Sequence, residues 1–179
     1  MHVLLLYPKN PEIFWSFEHV VRFVSKRCAF PPLGLLTVAA MLPREWGLEF
    51  VDLNVDRLHD AQIERADYVM ISAMIVHRDS VHALLARCRA RQKPVIAGGP
   101  LFTTGHGEFP RVGQLVLGEA EDLMPQLVAD MQHGVAKACY QASERPDVAL
   151  TPPPRWDLID PDHYVTMSAQ FWARLSLRG

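Results

Sequence analysis

Two short apolar runs that each stop at a glycine constrain this chain more than any other feature. The first is Pro94-Val95-Ile96-Ala97-Gly98-Gly99-Pro100 and the second is Leu115-Val116-Leu117-Gly118-Glu119-Ala120-Glu121. Short apolar runs bounded by turn signals read as strands buried on both faces, as in a parallel sheet. Glycine at their carboxyl ends permits positive φ and close approach of a ligand to the main chain. In an open parallel sheet, ligands bind outside those carboxyl ends, so two such turns on one edge point to a site for a large ligand. Glycine also ends strands where nothing binds, and the turns alone leave both readings open.

The rest of the chain alternates strand and helix. Val3–Tyr7, Leu48–Leu53, Tyr68–Ser72, Val95–Ala97 and Leu115–Leu117 read as five strands. Pro32–Leu42 reads as a buried helix stopped by Pro43. Asp79 or Ser80 caps a helix to about Arg91, with Val81, Leu84, Leu85 and Cys88 on one face. Glu121–Gln132 is the last helix, with Gly134 as its stop. Phe102–Val112 shows little helix signal and reads as a loop or a single turn. The expected fold is α/β: a flavodoxin-like or Rossmann-like, doubly wound, parallel five-stranded sheet. Residues 1–141 form that domain, and residues 142–179 are an extended linker whose Thr151-Pro152-Pro153-Pro154 favours polyproline II. Arg155–Asp160 and Tyr164–Ser168 are short elements, too few for a core of their own.

Composition narrows the function. At 179 residues with 49% hydrophobic content, one domain can bury a core, and a net charge of −2 gives no support to a nucleic-acid partner. No apolar run reaches the ~18–20 residues that span a membrane. Met1–Pro8 lacks a basic region and a cleavage site, so it reads as a first strand, and a cytoplasmic protein is expected. Cys28, Cys88 and Cys139 are odd in number and far apart, without disulfide or metal spacing. A phosphate loop after the first strand would need glycine, and Tyr7-Pro8-Lys9-Asn10 has none. Neither Ser72 nor any cysteine sits where a hydrolase nucleophile is expected.

An ordered set of motifs carries a resemblance. Pro31-Pro32-Leu33-Gly34-Leu35, Val51-Asp52-Leu53-Asn54, Ala97-Gly98-Gly99-Pro100, Leu117-Gly118-Glu119-Ala120-Glu121 and Pro154-Arg155-Trp156-Asp157-Leu158 follow one another along nearly the whole chain. Together they resemble the N-terminal half of cobalamin-dependent radical SAM enzymes, in particular the branch that includes hopanoid methylases. The resemblance implies a cobalamin-binding Rossmann-like domain, followed in the family by a barrel with an iron–sulfur cluster on Cys-x-x-x-Cys-x-x-Cys. That motif is missing here, so no iron–sulfur cluster is expected in this chain, which reads Trp172-Ala173-Arg174-Leu175-Ser176-Leu177-Arg178-Gly179 instead. Codons for Arg174–Arg178 can give Gly-Cys-Pro-Phe in a shifted frame, which fits a frameshifted fragment. A separate half of a split enzyme, with a radical SAM barrel protein as partner, is the other expectation.

The resemblance implies that cobalamin meets Ser72, Ala73 and Met74 after the third strand, and Gly98, Gly99 and Pro100 after the fourth. It also implies Gly118, Glu119, Ala120 and Glu121 after the fifth, with Pro32 and Leu33 near the corrin edge. Absence of side chains at Gly98-Gly99 is expected to clear space for the nucleotide tail. Backbone N–H groups after Gly118 are expected to meet the tail, while Glu119 and Glu121 suit ribose or amide groups better than phosphate. Glu121 also reads as an ordinary helix-start carboxylate. Many cobalamin domains carry Asp-x-His-x-x-Gly after the first strand, but Tyr7-Pro8-Lys9-Asn10-Pro11-Glu12 holds no histidine. His77 is therefore the candidate cobalt ligand, against the plainer reading of a histidine ahead of a helix. His59, His82, His106, His133 and His163 share no spacing and read as surface residues. Phe14, Trp15, Phe17, Phe23 and Phe30 read as core or as a patch for self-association. The expected function is a cobalamin-binding module of a methyltransferase-type protein, not catalytic alone. The alternatives are a cobalamin-responsive regulator or carrier, or a flavodoxin-like domain for another nucleotide.

Overall fold

The computed structural model describes residues 1–11, 27–142, 146–147 and 151–165. Six parallel strands form one sheet: β1 (His2–Tyr7), β2 (Gly47–Asp52), β3 (Tyr68–Ser72), β4 (Val95–Gly98), β5 (Gln114–Leu117) and β6 (Cys139–Gln141). Their order in space is β2-β1-β3-β4-β5-β6. Consecutive strands lie beside each other except where the chain crosses from β2 over β1 to β3. That reversal places the topological switch point, and the crevice it opens, at the carboxyl ends of β1 and β3.

Burial explains the strands. Val3, Leu4, Leu5 and Leu6 are all fully buried, because helices cover both faces of the central strands. Leu4, Leu6, Val69, Ile71 and Ala97 face one core with α2 (Asp60–Arg65), α3 (Arg78–Ala90) and α4 (Pro100–Gly105). Val3, Leu5, Met70, Ile96 and Val116 face the other with α1 (Leu33–Ala40) and α5 (Met124–His133). The fold is therefore doubly wound, with helices on both faces.

The α/β class and parallel sheet agree with the sequence reading, and several details differ. Helix α4 forms at Pro100–Gly105, overlapping the segment read as a loop or single turn, and α3 starts at Arg78, ahead of the expected caps Asp79 and Ser80. The sheet has six strands rather than five. Only Tyr140 of β6 faces the core, so this three-residue edge strand has no apolar run to betray it. Its hydroxyl donates to Asp130 Oδ2 at 2.8 Å, tying the edge strand to α5. The sequence reading also missed α2, whose start is fixed by the His59 N–H donating to Gln62 Oε1. Finally, α5 begins at Met124 rather than Glu121, with Pro125 in its first turn, where a missing N–H does no harm. It ends at Gly134 with φ +69°, the left-handed stop expected of that glycine.

The described part of the tail contributes no strand to the sheet. Short 3₁₀ turns form at Trp156–Leu158 and Pro161–His163, and the Arg155 N–H donates to the Leu36 carbonyl of α1. The tail then bridges Cys28 to Tyr164, which is 1% exposed. Phe14, Trp15, Phe17 and Phe23, and the chain from Thr166 onward, lie outside the described residues.

Candidate functional site

A cleft of about 720 Å³ lies at the carboxyl ends of β3, β4 and β5, on the face that carries α1 and α5. Met70, Ile96 and Val116 form its floor. Val38 of α1 and Met41 just after it line one wall, and Met124 and Leu127 of α5 line the other. It exists because both crossovers on either side of β4 run over the opposite face, through α3 and α4. Among the described residues no helix covers this face of the strand.

Most residues singled out in the sequence meet here. Ser72, Gly98, Gly99 and Pro100 form the rim over β3 and β4, and Gly118, Glu119, Ala120 and Glu121 form it beyond β5. Leu33 stands at the mouth, 52% exposed. Pro32, Ala73 and Met74 do not line the cleft. Ala73 instead fastens the rim from below: its N–H donates to the Gly98 carbonyl, and its carbonyl accepts from the Leu101 N–H.

The glycines at the rim are also required by the protein's own backbone. A Cβ on Gly99, where φ is +90°, would sit 2.9 Å from the Ala73 carbonyl oxygen. One on Gly98 would sit 3.2 Å from the Val116 carbonyl oxygen. Their small size is demanded by the protein's own backbone at the rim, and this fixes the rim's shape. Gly34 is the opposite case. It lines the cleft from the first turn of α1, and a Cβ there would meet nothing within 4 Å. Glycine is a poor helix former, so an unhindered glycine facing a cleft marks room for something other than protein.

Threonines supply polar groups that the sequence reading passed over. Thr103 Oγ accepts from the Gly118 N–H at 3.1 Å, joining the two glycine turns across the rim. That backbone donor is thereby occupied. Thr151 Oγ is buried at the cleft without a hydrogen-bond partner among the described residues. Thr103 lies in the segment read as a loop or single turn, and Thr151 in the linker. Neither forms a motif; only the fold brings them to the glycines. Among the described residues no basic side chain lines the cleft, and the charged groups that do are the Glu119 and Glu121 carboxylates. Glu121 lies in the turn before α5, not in the helix.

His77 sits elsewhere. It is fully buried, its Nδ1 accepts from the Met74 N–H at 3.1 Å, and its Nε2 lies 2.7 Å from Asn10 Oδ1. The Met74 donor fixes the neutral tautomer with the proton on Nε2, which donates to Asn10. Burial holds its pKa down to about 4. Both ring nitrogens are engaged, and a metal could take one only by breaking these bonds. Among the described residues no group of three His, Cys, Asp or Glu side chains could hold a metal ion.

A cleft at the strand ends, apolar below and rimmed by glycine turns, defines a cofactor-binding α/β domain. The B12 binding domain family matches residues 21–128, and this chain belongs to that family. It is 40% identical over 173 residues to an uncharacterized methyltransferase of Synechocystis sp., a match covering 96% of this chain and 32% of that protein. It is 30% identical over 174 residues to the hopanoid C-2 methylase of Rhodopseudomonas palustris, covering 94% of this chain and 33% of the relative. The bacteriochlorophyllide d C-12(1)-methyltransferase of Chlorobaculum tepidum is 26% identical over 125 residues, 68% of this chain and 27% of its own. No solved structure gives a significant match. The chain thus spans about a third of the length of the curated relatives it matches, and is a B12-binding module of methyltransferase-type proteins.

Proposed function

We propose that the cleft between α1 and α5 holds cobalamin, and that the chain works as the cofactor-holding part of a radical SAM methyltransferase rather than as a catalyst alone. The observation that carries this reading is the uncovered apolar floor of Met70, Ile96 and Val116 beneath the two glycine turns. Cobalamin combines a large apolar ring bearing amides with a flat nucleotide tail, and the cleft's chemistry suits both. Its floor takes a flat apolar group, and the unpartnered Thr151 hydroxyl and the Glu119 and Glu121 carboxylates can bond amide N–H or ribose hydroxyl groups. Open space beside Gly34 leaves the wall free for close approach.

Bound cobalamin would supply carriage of a methyl group at cobalt. The chain's own residues shape and dry the cleft, and Ala73, Gly98 and Thr103 hold its rim rigid. Leu33 stands at the mouth; Pro32 precedes it and Met74 follows Ala73, and neither lines the cleft. His77 is not part of the proposed cobalt site, because its two nitrogens serve Met74 and Asn10. In this reading residues 1–141 hold the cofactor and residues 142–179 lead toward a radical SAM barrel that carries the iron–sulfur cluster, whether on the same polypeptide or on a separate one. Self-association is the alternative partner. The proposed location is the cytoplasm, which suits the free thiols of Cys28, Cys88 and Cys139. No helix among the described residues is long and apolar enough to cross a membrane.

The test is an absorption titration with hydroxocobalamin followed by desalting. Corrin absorbance retained at one equivalent is the expected result. A protein that comes off the column colourless overturns cofactor holding by this chain.

A further inference from the structure

A continuous line of hydrogen bonds, buried at Tyr164 and Asp52 and part-buried beyond them, runs from the tail to the rim of the cleft. The Tyr164 hydroxyl donates to Asp52 Oδ2 at 3.0 Å, across 112 positions of sequence. Asp52 Oδ1 accepts from the Asn54 backbone N–H at 2.9 Å and from its Nδ2 at 2.7 Å. Asn54 Oδ1 in turn accepts from the Asn10 N–H at 2.8 Å. Asn10 Oδ1 accepts from His77, and His77 accepts from the Met74 N–H. Met74 follows Ala73, whose backbone is bonded to Gly98 and Leu101 at the cleft rim. Tyr164 and Asp52 are each 1% exposed and His77 is fully buried, so the two ends of the line are shielded from water, while Asn10 and Asn54 between them are half-buried. The tail end is clamped as well: the His163 carbonyl accepts from the Arg27 and Cys28 N–H groups, and the Val165 N–H donates to the Cys28 carbonyl.

We infer that this line is a positioning relay: seating of Tyr164 on Asp52 sets the loop after β3, so that the state of the tail and the loading of the cleft are linked. The physical reason lies in the Asn54 amide. It is fixed at both ends, by Asp52 and the Pro8 carbonyl on one side and by Asn10 on the other. When Tyr164 leaves, Asp52 keeps a buried oxygen without its side-chain donor. The carboxylate must then turn or admit water, and either change moves Asn54. Tyr7 packs edge-on against His77, with ring centroids 4.9 Å apart, and adds a packing contact to the two hydrogen bonds that orient the imidazole. Linkage is reciprocal, so a ligand that steadies the rim must also steady the tail.

Amide hydrogen exchange on the full 179-residue chain reads both ends directly, because the Met74 and Val165 N–H groups are themselves bonded in the line. Tyr164→Phe removes one hydroxyl and keeps the ring. It should speed exchange at Met74 about three- to tenfold while Leu127 in α5 is unchanged. Asn10→Ala, cutting the line in the middle, should speed Met74 similarly, and the double variant should add little beyond either single one. Faster exchange at Val165 with Met74 untouched would confine the clasp to the tail and overturn the relay, as would a uniform rise at all three amides. The second arm rests on the cobalamin reading: hydroxocobalamin should slow exchange at Val165, and should lose that effect in Asn10→Ala. Failure of the parent chain to retain cobalamin sinks the cofactor reading, and the first arm still decides the relay. Retention of cobalamin with Val165 unmoved sinks the linkage and leaves the cofactor reading standing.

Discussion

The two faces of the sheet are built from the same strands and finished differently. On one face α2, α3 and α4 cover the strands completely, and Ile63, Val81, Leu101 and Phe102 close the core at 0–1% exposure. On the other, α1 and α5 stand apart and leave a cleft over Met70, Ile96 and Val116. Both faces are apolar, so hydrophobicity does not distinguish them. The difference comes from connectivity, because the crossovers flanking β4 both run over the closed face. One face supplies stability and the other keeps its surface for a ligand.

The largest expected effect breaks the closed face. Phe102→Ala empties a fully buried site against Phe109, whose ring centroid is 5.0 Å away. It should lower unfolding free energy by about 3–5 kcal/mol in a denaturant titration. An equal loss from truncating Leu33, at the mouth of the open face, would erase the contrast.

Gly99→Ala strikes the rim that joins the two faces. Its φ of +90° and the 2.9 Å approach to Ala73 make any side chain strained, and about 2–3 kcal/mol of stability should be lost. Thermal unfolding measures it. Unchanged stability would mean that the rim relaxes freely and is not the rigid border described here.

The next effect depends on pH. His77 is buried neutral with its pKa lowered from 6.5 to about 4, so between those values the unfolded chain binds more protons than the folded one. Its contribution is fully present above about pH 6.5 and is lost as pH falls toward 4. By pH 5 the loss is on the order of 2 kcal/mol. Asp52 acts in the opposite sense: burial raises its pKa, so protonation comes earlier in the folded state. Denaturation of the parent chain and of His77→Gln at pH 7 and pH 5 isolates the histidine. The parent should lose more stability than the variant on acidification.

The smallest effect on stability sharpens the comparison most. Gly34→Ala meets no neighbour within 4 Å and should be neutral or stabilising by up to about 1 kcal/mol. Gly34→Phe should fold equally well yet lose retention of hydroxocobalamin by at least about tenfold. Full retention in a folded Gly34→Phe protein would remove that wall from the proposed site.

The strands, the parallel sheet and the glycine turns were legible because they depend on local pattern. A strand buried on both faces must be an uninterrupted apolar run, and a left-handed corner such as Gly134 nearly always needs glycine. Strand β6 was not legible, since an edge strand with one inward residue leaves no period to read. Nor was the start of α5, where a turn through Ala120 and Leu123 intervenes before Pro125.

At the cleft the division is similar. The sequence by itself determined that the carboxyl ends of β4 and β5 would converge on one edge with Ser72, Gly98, Gly99 and Gly118. Only the tertiary structure decided which face opens, because that depends on the side taken by each crossover. It also brought Thr103 and Thr151 to the rim, turned His77 inward and seated Tyr164 on Asp52. Thr103 meets Gly118, His77 meets Asn10 and Tyr164 meets Asp52, each a partner outside the local sequence.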